Sequence, residues 1–268
     1  MSSTTAITCA AVAFGADPGR WPLPSATEPD ELWLRAVAAG GQGRYASARA
    51  AIAELVSHAP GGRLGSLALS THASFLRQLG WHRLARGWDG RAYACAGEDP
   101  EACVDALIGL SADALGLGRL AASAVLLERA AEVLVGAESP APRLAIRLAW
   151  VRAELAMAAC DGPAAVRHAH TGMALAESAL PALRRHRVKS DVVLAAAQCS
   201  AGDLAAARAL ADAALADTET YGLIPLRWAL SCLLADIGSA TRSPADVEAI
   251  RARSVAFVVR HGGRWNSR

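Results

Sequence analysis

The densest chemistry in the chain is the stretch LGWHRLARGWDGRA, residues 79–92, which gathers two tryptophans, a histidine, three arginines and an aspartate. A catalytic role here would need His82 or Asp89 to face a pocket with a shifted pKa. A second charged run, RRHRVK at 184–189, has the arginines to grip phosphates or an acidic partner by bidentate hydrogen bonds. Nothing aromatic interleaves it and no recognition-helix signature surrounds it, so a solvated helix start is the expectation. His168 and His170 stand two apart, on different faces of a helix, and cannot share a metal. The six cysteines are scattered with no CxxC pair, which argues against a zinc knuckle or a thioredoxin-type site and fits a reducing, cytoplasmic setting. No phosphate-binding GxxxxGK loop, GxSxG elbow or HExxH pair occurs. GLGRL at 116–120 looks like a nucleotide loop but falls in a turn between helices. The residues therefore predict a protein that is not an enzyme and uses no cofactor and no metal.

The elements that must carry these residues follow from composition. The chain has 268 residues, 53% of them hydrophobic but only 5% aromatic, so its apolar content is mostly Ala, Leu and Val. Ala and Leu favour helix, whereas sheets draw on aromatic and β-branched residues; an all-α protein is expected. A net charge of +2 lacks the basic excess of a general nucleic-acid or anionic-membrane binder. No apolar run of about 18 residues is present to span a membrane. Residues 1–27 read as a partly ordered arm, because Pro18, Pro22, Pro24 and Pro29 discourage helix before Asp30. Residues 28–260 read as one domain, and 261–268 as a basic tail.

Self-similarity organises that domain. Segments aligned on Gly43, Gly80, Gly118, Cys160 and Gly202 are spaced by 37, 38, 42 and 42 residues. Five positions beyond the anchors stand Ala48, Ala85, Ser123, Ala165 and Ala207, all small. Seven before them stand Ala36, Ala73, Ser111, Ala153 and Ala195. Small residues at matched places in consecutive helices let two backbones approach closely. A glycine between them suits a sharp turn with left-handed backbone; at the Cys160 anchor, Gly162 is expected to do the turning. First helices are predicted near 30–40, 64–79, 101–116, 141–159, 183–200 and 223–237. Second helices are predicted near 44–58, 81–95, 119–136, 162–179, 203–219 and 244–260. Within 79–92, Leu84 should face apolar neighbours, and Gly87 and Gly90 should leave a flat strip for another backbone. Asp89 takes a place that sibling units fill with Ile52, Leu127, Ala169 or Ala211, and either an ion pair with a nearby arginine or a cap to an adjacent helix is expected for it.

GRYASARAAIAEL at 43–55 and GDLAAARALADAA at 202–214 resemble the second helix of the tetratricopeptide repeat, through Gly43, Tyr45, Ala48 and Ile52 and through Gly202, Ala207 and Ala214. The units run longer than usual for that family, and the resemblance covers roughly residues 28–238. It implies a right-handed superhelical array of about six antiparallel helix hairpins, a TPR-like α-solenoid, with the first helices lining a concave groove. Ten residues before each anchor, on that inner face, lie Trp33, Ser70, Ile108, Trp150 and Val192, and Trp228 if Gly238 anchors a sixth unit. Ser74, Arg77, Arg147, Glu154 and Lys189 share the face, giving a mildly basic groove for a partner segment. A register one residue off would instead make the tryptophans packing residues between helices. The leading expectation is an interaction scaffold that binds a protein or peptide, as monomer or homodimer, away from membranes and without direct nucleic-acid contact. The alternative is a sensor that binds a small effector and acts on a transcription-related partner, since the long units also resemble the helical arms of large bacterial regulators.

Overall fold

The computed structural model describes residues 3–266, and among them every regular element is a helix. The first helix, α1, spans Thr4–Phe14. Helices adjacent in the chain follow in pairs: α2 (Pro29–Gly41) with α3 (Tyr45–His58), α4 (Gly62–Gln78) with α5 (His82–Cys95), and α6 (Pro100–Gly116) with α7 (Leu120–Gly136). Then come α8 (Pro142–Ala158) with α9 (Gly162–Ser178), α10 (Arg184–Ser200) with α11 (Leu204–Thr220), and α12 (Ile224–Ile237) with α13 (Pro244–Arg260). Starts are marked by capping carboxylates and by proline in the first turn. Asp99, Asp161 and Asp203 accept hydrogen bonds from the backbone N–H three residues on, and Ser243 with Asp246 forms a reciprocal capping box before Pro244.

The turns repeat in detail. Gly43, Gly80, Gly118 and Gly202 all have left-handed backbone, with φ between 73° and 88°. At each, the next residue's N–H reaches back to the carbonyl five residues earlier, as in Arg44 to Ala39 and Arg119 to Ala114, the Schellman closure of a helix. At the fourth turn Cys160 itself takes φ 60°, and Asp161 N–H closes on Ala156. Gly162 has no such φ and opens α9, so the expectation that it turns the chain is corrected. What the turn requires is a left-handed residue next after the last helical turn, and Gly162 comes two residues too late.

The matched small residues are the contact line within each pair. Ala36, Ala48, Ala73, Ala85, Ala153, Ala165, Ala195 and Ala207 are fully buried. In α6 and α7 the corresponding Ser111 and Ser123 hydroxyls lie 2.9 Å apart, bonded to each other. Larger residues around this line, such as Leu55, Leu107, Leu127 and Leu215, supply the buried apolar volume.

Layering decides where a site can form. α4 packs on α6, α6 on α8, α8 on α10 and α10 on α12, while the following helices α3, α5, α7, α9 and α11 have no comparable mutual contact. The leading helices therefore make the crowded inner layer and the others the spread outer layer.

Two segments lie outside this pattern. The arm contains α1, where the sequence predicts no helix before Asp30: Ser3 Oγ caps it by accepting from Ala6 N–H, and Cys9, Val12 and Ala13 bury against α2. The prolines that follow act only after Phe14. Beyond α1, Gln42 donates to the carbonyls of Pro18 and Arg20, and Arg184 N–H donates to Gly15, so the arm runs from α2 to α10. At the other end the chain returns to the first units. Ala46 N–H donates to His261 O at 2.8 Å, Asn266 N–H to Leu79 O at 2.9 Å, and Trp81 Nε1 to Arg264 O at 2.7 Å. No helix among the described residues is long and apolar enough to cross a membrane.

Candidate functional site

The inner layer borders a half-open cavity of about 330 Å³ between α2, α4, α8, α10 and α12, with Asp105 of α6 also on its wall. Four of the six in-phase positions open onto it: Trp33, Ser70, Trp150 and Trp228. The other two, Ile108 and Val192, are buried among the helices. The tryptophans do both things the sequence allows. Trp33 Nε1 donates to Thr71 Oγ1 at 3.1 Å and Trp150 Nε1 donates to Ser190 Oγ at 2.8 Å, each tying one inner helix to the next. Their N–H groups are thus occupied, and what they offer the cavity is ring surface. Trp228 packs against Trp265 of the returning tail, with the rings tilted and centroids 4.3 Å apart.

Of the charged and polar residues expected on this face, Ser74, Arg147 and Lys189 line the cavity. Lys189 pairs with Glu154 at 3.1 Å, which sits beside the cavity and not on its wall. Arg77 does not line it. Its guanidinium turns away into a buried cluster with Asp89 and Asp113, each 2.8 Å from Nη1.

The cavity also takes residues the sequence reading left out. Arg185 and His186 come from RRHRVK, expected to be solvated. Arg184 is exposed, and Arg187 pairs outward with Glu177 and Asp191. Arg185, His186 and Lys189 instead share the inward face, as residues i, i+1 and i+4 of a helix do. The signal was present: the period that puts Lys189 inside puts Arg185 there one turn earlier. Phe14 and Arg143 also line the wall, Phe14 from a helix that the sequence did not show.

The electrostatics are uneven. Arg143 bonds Glu101 at 2.9 Å and Asp105 at 2.8 Å, and Arg147 pairs with the other oxygen of Asp105. Arg185 reaches the Val37 carbonyl at 3.3 Å and, among the described residues, has no carboxylate within 4.0 Å. Burial, and then repulsion from Arg77 and Arg185, brings Arg147 down to about 10. Burial and Arg143 bring Arg185 to about 10 as well. His186, buried beneath Arg185, Arg143 and Arg147, is pushed well below the usual histidine range and is neutral at pH 7. Its ring stacks on Trp150 with centroids 5.4 Å apart. Such a site is suited to holding a ligand by charge and by ring contact.

The stretch 79–92 lies apart from this cavity. Asp89 is fully buried, accepting from Ser70 Oγ at 2.7 Å and from Arg77 Nη1 at 2.8 Å, so the ion pair anticipated for it is present. Leu84, expected among apolar neighbours, is 53% exposed, because residues 83 and 84 lie on the outer side of α5. Among the described residues nothing beyond their own helical turn lies within 4 Å of a Cβ built on Gly87 or Gly90, so the backbone approach expected there is not made by any described residue. The close approach falls on Gly109 of α6, where a Cβ would stand 2.4 Å from Asp89 Oδ2.

No family model matches the chain, and the search of curated proteins returned no similar sequence.

Proposed function

We propose that the chain is a non-enzymatic binding protein, a tetratricopeptide-like right-handed solenoid of about six helix hairpins, which takes its ligand in the cavity on its concave side. One observation supports this above the rest: matched positions of four of the six inner helices converge on a single cavity, bringing Trp33, Ser70, Trp150 and Trp228 together. A compact effector suits that space better than a long segment. The volume of about 330 Å³ is at the lower end of small-molecule sites, and Phe14 from the arm and Trp228 near the other end both bound it. On this reading the protein senses a small molecule and acts through a separate chain. The second reading, a scaffold for a protein segment, draws on the same row of inner residues, with the segment entering by its tip.

A thermal-shift screen of the full chain against a metabolite panel tests the assignment. A ligand specific for the folded state raises the Tm with concentration, and the double variant Trp33→Ala/Trp150→Ala should lose that shift while keeping its helical circular dichroism. Flat responses throughout, with a protein partner from the source cell retained equally by that variant, would remove the cavity as the binding site.

A further inference from the structure

We propose that the cavity selects a small organic anion, with a carboxylate or phosphate against Arg185 and Arg147 and a flat apolar ring among Phe14, Trp33 and Trp150. This rests on the reading of the cavity as a ligand site and adds the chemical class of the ligand. Four cations meet there, Arg143, Arg147, Arg185 and Lys189. The carboxylates answering them are three. Asp105 is divided between Arg143 and Arg147, Glu101 serves Arg143 and also Arg63, and Glu154 serves Lys189. Among the described residues Arg185 is the cation left over, held by one backbone carbonyl at 3.3 Å and lying over the Phe14 ring. A half-buried cation without a counter-ion is unfavourable, so an anion arriving beside it relieves an existing penalty. The planar guanidinium fork matches the two oxygens of a carboxylate or phosphate.

The rest of the wall favours an aromatic body. Trp33 and Trp150 have spent their N–H groups on Thr71 and Ser190, so what they present to the cavity is the ring surface that Phe14 and His186 leave uncovered. Gln78 accepts from Tyr45 Oη through Oε1 at 3.0 Å, which leaves its amide N–H₂ as a directional donor at the cavity wall.

The test is calorimetric titration of the full chain with indole-3-acetate, phenyl phosphate, the neutral indole-3-acetamide, and inorganic phosphate. Both ring-bearing anions should bind, with indole-3-acetamide and inorganic phosphate each at least tenfold weaker. Arg185→Met should weaken the anions at least tenfold and leave the amide unchanged; Arg185→Lys, which keeps the charge and loses the fork, should fall between. Arg147→Met gives the same readout should Arg185→Met not fold. Equal binding of acid and amide overturns the anion assignment, as does wild-type affinity in the Arg185→Met chain, which would leave Arg185 only its structural link to α2. If inorganic phosphate binds as well as phenyl phosphate, the aromatic half of the proposal is wrong. If no probe binds, this proposal falls, while a neutral ligand from the metabolite panel would leave the wider reading standing.

Discussion

Asp89→Asn should make the protein's stability less dependent on pH, and the size of the change follows from the buried cluster between α4, α5 and α6. Asp89 meets Arg77 and Ser70 from α4 and Asp113 from α6; His82 of α5 stands 3.5 Å from Asp113, and Arg147 of α8 adds its field. One guanidinium thus answers two carboxylates sealed from water. Burial raises the Asp89 carboxyl from 3.8 to about 6; Arg77 opposes the rise and Asp113 adds to it. Below pH 4 Asp89 is protonated whether the chain is folded or not. Between about pH 4 and 6 the folded chain keeps a proton that the unfolded chain has released, so stability falls as pH rises through this window. At 1.36 kcal/mol per pH unit, the loss at pH 7 is about 3 kcal/mol on this group. Asn cannot titrate, and Arg77 keeps Asp113. The stability of Asp89→Asn relative to wild type should therefore improve by about 3 kcal/mol between pH 4 and 7. Urea unfolding of both proteins at half-unit pH steps measures it. A difference between them that stays constant with pH would refute the account of the cluster.

Two further substitutions probe the frame. Cys160→Gly should stabilise the protein by about 0.5–1 kcal/mol, because Cys160 holds a left-handed φ that costs an L-residue energy and glycine little; an unchanged or lower denaturation midpoint would contradict this. Gly109→Ala should destabilise by about 1–3 kcal/mol, since its Cβ would stand 2.4 Å from Asp89 Oδ2 and must displace a carboxylate; a wild-type urea midpoint would show that the contact yields easily.

The paired helices were legible because their signals are local. A left-handed turn residue and small positions at fixed offsets recur from unit to unit, capping residues mark several starts, and the observed ends of α2 to α13 fall within two residues of those expected from them. The helix α1 was hidden because no sibling repeats it and the prolines after Phe14 suggested irregular chain from the start. Arg185 was misread for a related reason. A run of like charge looks solvated in sequence, although the helical period that places Lys189 inside places Arg185 there as well, on the face that α10 turns toward α8. Arg77 shows the opposite error. Its register places it on the inner helix, but its long side chain swings to Asp89 and Asp113, a destination set by the packing of α4 on α6.

The returning tail has a consequence for how the molecule opens. A row of helices held mainly by nearest neighbours unzips from its ends, where the last unit has only one neighbour to lose. Here Asn266 is bonded to Leu79 and Gly80, 186 residues away along the chain, and Trp265 is wedged against Trp228. The last unit thereby gains a second neighbour, and peeling it away breaks contacts at both ends of the row at once. Fraying gives way to all-or-none opening, and the longest-range contacts of the chain can form only after the residues farthest along it have been made.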